Sequence, residues 1–256
     1  MKTIITSGVT LALITIILAG CNQQQDTTEQ NTLASESGAT LLNFVEQERG
    51  VEPYPTRLIV TEQFLRFDDG EGSADFVLLD RNKDVIYSVN SSEGTVMAVH
   101  KKKIEIQPPF KLELTHEQLD DLKGAPDIEG IQPRHILFSA NSEQCYEVIA
   151  VPGLLPDVVT ALQEFTDLLA SDSKVTFNTL PADLQKPCDI SMNTFAAGRH
   201  LAFGFPIQEW SANGSGRALV DYQLDYEPDE SMFILPADYN HFTVQEFREG
   251  KVLRTE

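Results

Sequence analysis

The side chains able to do chemistry in this 256-residue chain are few and widely spaced: three cysteines and five histidines. His100, His116, His135, His200 and His241 are scattered, with no metal-ligand spacing. His116-Glu117-Gln118-Leu119-Asp120 begins like a zinc-protease helix but carries Asp120 where the second histidine must stand. Asp68-Asp69-Gly70 through Asp75 starts like a calcium loop. Its twelfth position is Leu79 rather than a bidentate glutamate, so a hairpin turn with solvated acids fits better. Gly214-Ser215-Gly216 belongs to a hairpin turn, not to a strand-to-helix elbow, and Gly70-x-Gly72 lacks the third glycine of a phosphate cradle. A triad drawn from distant residues stays open, but no spacing points to one. The expectation is a non-enzymatic protein with no metal and no cofactor, a hydrolase ranking third among the readings.

The N-terminus carries a different kind of chemistry. Lys2 precedes an apolar run from Ile4 to Leu18 that ends in small residues and Cys21. Charge, core length and cleavage-site chemistry are those of a secretory signal. The alternative is a transmembrane helix with an incidental cysteine, for which the run is short against the ~20 residues a span requires. Leu18-Ala19-Gly20-Cys21 resembles the lipobox of bacterial lipoproteins. In that family the cysteine becomes the new N-terminus and carries lipid on its sulfur and amine. The resemblance implies that residues 1–20 are a removed signal, that Cys21 is lipidated, and that the protein reaches the membrane through this anchor. Asn22, standing where an aspartate favours inner-membrane retention, implies the outer membrane, facing the periplasm. Residues 21–38 read as the lipidated cysteine and a polar tether, spanning roughly 20–25 Å as a coil. Residues 39–256 read as a single domain.

Composition narrows the partners. Asp and Glu number 39 against 19 Lys and Arg, giving a net charge of −20. Such a body is repelled by phosphate backbones, which excludes nucleic acid. The acidity serves solubility, or a cationic partner. An apolar content of 41% with 14 Phe supplies a sizeable core. With Cys21 lipidated in an oxidising compartment, Cys145 and Cys188 remain as an even pair. A disulfide between them closes a loop of about 44 residues, with a chain-entropy ceiling of roughly 4 kcal/mol; two separate buried thiols are the alternative.

The elements that must position these residues are mostly strands. Leu41, Leu42, Phe44 and Val45 before Gly50 suggest a short helix over 40–49. Residues 57–67, 76–79, 85–89 and 95–99, separated by polar turns, read as an antiparallel meander. The basic Lys101-Lys102-Lys103 either meets headgroups or protects a sheet edge. Thr115 to Gln118 has capping-box form and Gly124 offers a stop, which suggests a two-turn helix. Residues 135–140 and 145–151 form a second hairpin. Pro156 and Asp157 then open the clearest helix, whose apolar stripe includes Val158, Leu162, Phe165 and Leu169. Another short helix is expected near 191–197. Asn213-Gly214 joins strands 205–212 and 215–226, with Ala218, Val220 and Tyr222 on the core face and Arg217 and Asp221 on the wet face. Residues 242–247 offer an edge strand.

Asp75-Phe76-Val77-Leu78-Leu79-Asp80, Val85-Ile86-Tyr87-Ser88-Val89, Cys145-Tyr146-Glu147-Val148 and Phe233-x-x-Pro236-x-x-Tyr239 resemble uncharacterised periplasmic relatives of the lipoprotein-carrier superfamily, LolA and LolB. The likeness covers roughly residues 56–240. It implies an α+β, mainly β fold, a curved antiparallel sheet forming an open half-barrel, with helices covering the concave face over an apolar cavity. The cysteine pair is not a carrier feature, and transport activity is not carried over. The expected function is binding of an apolar or lipid-like ligand, with Val158, Leu162, Phe165, Leu169 and Trp210 as cavity-lining candidates. The rival is a protein-interaction module of envelope assembly.

Overall fold

Two runs of strands build a single sheet, and the long helix falls within the second run. In the computed structural model, which describes residues 38–181 and 185–252, the first run is a meander of six strands. They are β1 (Ala39–Gln47), β2 (Tyr54–Val60), β3 (Phe64–Asp68), β4 (Phe76–Asp80), β5 (Val85–Asn90) and β6 (Thr95–His100). The second run is β7 (Leu114–Leu119), β8 (Arg134–Ala140), β9 (Glu143–Val151), β10 (Phe205–Ser211) and β11 (Gly216–Tyr226), and β12 is Asn240–Thr243. The described strands form one curved, non-closed sheet in the order β12-β6-β5-β4-β3-β2-β1-β11-β10-β9-β8-β7. The two runs therefore meet where β1 pairs with β11, and β6 and β7, consecutive in the chain, lie far apart toward opposite edges.

Five expectations are corrected. Residues 57–67 are not one strand but parts of β2 and β3, which turn at Thr61 and pair antiparallel. Residues 39–47 are a strand: Leu42 and Phe44 point into the core, and β2 and β11 satisfy the backbone on both sides, so pairing overrides the helical spacing. Residues 114–119 are also a strand. The Thr115-to-Gln118 pattern is an edge strand paired only with β8, and polar side chains suit its exposed positions. The sheet is mixed, because β12 returns beside β6 in parallel. The expected edge strand stops at Thr243, whose hydroxyl and Glu246 form a reciprocal cap that starts a helix instead.

The hairpin at Asn213-Gly214 forms with a three-residue loop. Gly214 donates to the Ser211 carbonyl at 3.0 Å and takes φ +90°, a conformation that favours glycine. Along β11 a bulge changes the side-chain parity: Phe44 faces Leu219 and Asn43 faces Asp221, leaving Val220 unpaired. Leu219 and Tyr222 consequently pack on the core, and Arg217 turns to the same side, the reverse of simple alternation.

Helix α1 (Pro156–Thr176) starts with Pro156 and Asp157, as its N-terminal dipole favours. Val158, Ala161, Leu162 and Leu168 join Leu42, Phe44, Leu58, Leu79 and Phe205 in one cluster. Two charged forks fix the helix. Arg81 donates to Glu164 at 2.6 and 3.1 Å, and Arg248 of α3 (Val244–Arg248) donates to Asp172 at 2.6 and 3.0 Å. A second cluster of Ile136, Phe138, Tyr146 and Val148 packs against Cys188, Met192 and Phe203. Cys188 lies on the short α2 (Pro187–Ile190), which continues into a π-helical turn over Ser191–Phe195. Cys145 and Cys188 form a disulfide that ties α2 to β9. At the far end of β3, Asp68 accepts from Arg57 at 2.8 and 2.9 Å, from Arg66 at 2.7 Å and from the Gly70 N–H at 3.0 Å.

Candidate functional site

The β1/β11 seam has an open cleft at each end, and the two share no lining residue. Between them the face is filled: Leu42, Phe44, Leu162, Leu201 and Phe205 are all buried in one cluster. Apolar room thus lies at the N-terminal end of α1 rather than beneath its middle.

The first cleft, about 770 Å³, is bounded by Leu154, Leu155 and Val158 of the α1 start, by Leu219 of β11, and by Ile131. Val220 and Leu224 stand on its rim, 61% and 55% exposed. Glu129, Asp157 and Asp221 add charge there, and the Tyr222 hydroxyl donates to Glu129 at 2.9 Å. Leu155 holds φ 47° and ψ 56°, a left-handed conformation that is strained for leucine, and its side chain is buried in the core.

The second cleft, about 800 Å³, is lined mostly by polar and charged residues. The bulge at Val220 and the β10–β11 register bring Glu46, Glu209 and Arg217, residues remote in the chain, to one face. Arg217 Nε lies 2.8 Å from Glu209 Oε1, but off the N–H direction, so this is an ion pair without an aligned hydrogen bond. Glu209 Oε2 is buried and has no hydrogen-bond partner among the described residues; His200 Nε2 lies 3.6 Å from it. Gly216 is required by the tight approach: a Cβ there would meet the Glu209 carbonyl at 2.6 Å and Trp210 Cβ at 2.8 Å.

Burial dominates the electrostatics of this end. It lowers the His200 imidazole below its usual range, so the ring is neutral at pH 7. Desolvation likewise raises the Glu46 carboxyl against the opposing pull of Arg217, and raises the Tyr146 phenol to about 12 despite the nearby Arg199. His200 takes up a proton less readily folded than unfolded. Its contribution is intact above 6.5 and is lost as pH falls through the depressed folded value. Glu46 works the other way, gaining for the folded state as pH falls through its raised value. His200→Gln is therefore expected to flatten the acid-side loss of stability. Urea midpoints at pH 7 and at about pH 5, for both proteins, read this; parallel curves would refute it.

Of the sequence-derived candidates, the structure does not gather a single lining. Val158 borders the apolar cleft, Leu162 is core, Phe165 packs on Phe67 with ring centroids 5.2 Å apart, and Leu169 is 40% exposed. Trp210 lines the polar cleft. Cys21 lies outside the described residues. Sequence reasoning missed Glu46, Glu209 and Arg217, for which only the strand register gives a signal. His135 is buried between two carboxylates, its Nδ1 at 2.8 Å from Asp121 and its Nε2 at 2.9 Å from Glu147. Among the described residues no hydroxyl or thiol side chain is hydrogen-bonded to a ring nitrogen of His135, His200 or His241, and no group of three metal-ligating side chains occurs.

No family model and no curated protein matches the chain. Among solved structures it is similar to an uncharacterised conserved protein from Thermus thermophilus, at a TM-score of 0.38 and 10% identity, over 82% of this chain and 92% of that one. It is also similar to PNGF-II in two crystal forms, C2 and P21, at a TM-score of 0.41 and 9% identity in each. Those matches cover 82% and 83% of this chain but only 32% and 33% of PNGF-II.

Proposed function

We propose that this chain is a lipid-anchored protein of the bacterial envelope, held through Cys21 at the periplasmic face of the outer membrane. Its half-barrel domain, with α1 laid over the concave face, binds an apolar, lipid-like ligand and catalyses no reaction. The observation that carries the reading is the cleft at the start of α1, a solvent-open recess of about 770 Å³ with Leu154, Leu155, Val158 and Leu219 around it. That size suits a small-molecule site, and the exposed Val220 and Leu224 extend its apolar surface outward. The strained Leu155 fits a wall held in place for binding. The likeness to the lipoprotein carriers supports the same ligand class.

Lipid extraction and mass spectrometry of protein purified from membranes test this directly. Val220→Asp with Leu224→Asp changes only exposed side chains and should leave stability within about 0.5 kcal/mol. The pair is expected to weaken binding of a fluorescent fatty acid at least roughly tenfold. No co-purifying lipid, together with unchanged probe binding in the variant, would remove the ligand claim. Palmitate labelling lost in Cys21→Ser tests the anchor. A second reading, docking of an envelope protein, is favoured by β7, whose outer edge pairs with no strand among the described residues and whose residues from Leu114 to Gln118 are exposed. Crosslinking in cells to one dominant protein would select it.

A further inference from the structure

We propose that the apolar cleft at the start of α1 selects its ligand by charge: it takes a single-chain amphiphile with an ammonium head and disfavours carboxylate- and phosphate-headed lipids. The inference rests on the apolar-ligand reading above and adds the head group to it. Leu154, Leu155 and Val158 are buried at the inner wall, while Val220 and Leu224 at the rim are exposed. A ligand covering both runs apolar outward and ends among the polar groups of the mouth.

Those groups are acidic. Glu129 and Asp157 line the cleft and are exposed, and among the described residues no lysine, arginine or histidine lines it. Asp221 is left out of the count, because Asn43 donates to it at 2.7 Å on the sheet face away from Leu42 and Tyr222. Arg134, three residues beyond Ile131, lines a different recess with Gln132 and His135. The opposing field is the start of α1, equivalent to about half a positive charge. Two carboxylates against that half charge leave the mouth negative. The Tyr222 hydroxyl donates to Glu129 Oε1 at 2.9 Å, which ties the loop before β8 to β11 and fixes this carboxylate at the mouth. A carboxylate or phosphate head would face Glu129 and Asp157 with no cation to receive it, and like charges so placed repel. An alcohol brings a donor without charge. An ammonium brings both, and a charge-assisted bond is about twice as strong as a neutral one.

n-Octylamine, 1-octanol and octanoate share one chain and differ in the head. Calorimetric titration of each into the full chain carrying Cys21→Ser, so that no acyl group of its own competes, separates them. Octylamine is expected to bind at least roughly tenfold more tightly than octanoate, with octanol between them. The ratio should shrink in about 0.5 M NaCl, since salt screens exposed charges. Glu129→Gln with Asp157→Asn changes two exposed side chains and should bring the three probes within about threefold of one another. Glu71→Gln with Glu93→Gln removes the same charge from exposed turns outside the cleft and should leave the order intact. A preference lost in that control, or one that survives Glu129→Gln with Asp157→Asn, would overturn the assignment. Equal binding of all three probes overturns the head group and leaves the apolar reading standing, whereas binding of none overturns both. Should the cleft variant fail to fold, a ratio indifferent to salt overturns the proposal by itself.

Discussion

Asp68→Ala is expected to lower unfolding free energy by about 3–5 kcal/mol, among the largest effects of any single substitution in this chain. The side chain is almost fully buried and is the shared acceptor for Arg57, Arg66 and the Gly70 N–H. Arg66 is itself buried, lies 3.8 Å from the Phe76 ring centroid, and donates its remaining reach to the Met232 carbonyl. Removing the carboxylate leaves that guanidinium without its counter-charge in a place water does not reach. Burial by itself would raise the Asp68 carboxyl, but the bonds from Arg57, Arg66 and Gly70 outweigh it and hold it below 3.8. Its stabilisation is therefore present above 3.8 and lost as pH falls through the depressed folded value. Urea unfolding at pH 7 and at about pH 3 checks both parts, since the difference between wild type and variant should shrink in acid. Arg66→Met combined with Asp68→Leu should recover much of the loss, because it removes the buried guanidinium together with its carboxylate and leaves only Arg57, which is 22% exposed and can turn to water. A double variant as unstable as Asp68→Ala would show that the cluster does not act through stranded charge.

Loss of the Cys145–Cys188 bond is expected to cost about 2–4 kcal/mol, a large part of the stability of a domain this size. Loop closure over 43 residues is one reason. The other is positional. The bond holds the start of α2, and the turn that follows brings Met192 against the cluster of Ile136, Phe138 and Tyr146. Cys145→Ala with Cys188→Ala, compared with wild type with and without reductant, measures it. Reductant should shift the wild-type urea midpoint toward the double variant and leave the variant unmoved.

What the sequence conveyed depends on whether local pattern or distant pairing decides. The strands from β4 to β6 were legible because their polar turns are short and their apolar runs unambiguous. The same holds for α1, where Pro156, Asp157 and a helical stripe agree. Residues 57–67, by contrast, read as one strand but are divided into β2 and β3 by a turn on Thr61 that continuous apolar character conceals. β1 was not legible, because Leu41, Leu42, Phe44 and Val45 fit either period and only β2 and β11 choose between them. The polar cleft was hidden for a related reason. Period-two alternation puts Arg217 in solvent, and the bulge at Val220 turns it inward to face Glu209. Among the apolar candidates, the α1 stripe identified core at Val158 and Leu162 but not at the exposed Leu169. It carried no information on where the packing stops, so Leu162 fills space and Val158 borders it.

The strand order also carries a temporal cost. The first strand of the domain has one permanent neighbour, β11, that is nearly the last to be synthesised, with Leu42 opposite Tyr222. Throughout most of translation, one flank of β1 has no partner, and it presents Leu42 and Phe44 beside an open backbone edge. Closure across so long a stretch of chain places the domain among slow folders, in the millisecond-to-second class. The nascent protein thus spends its most aggregation-prone interval waiting for its own C-terminal hairpin, and factors that shield unpaired strands have their greatest purchase during that wait.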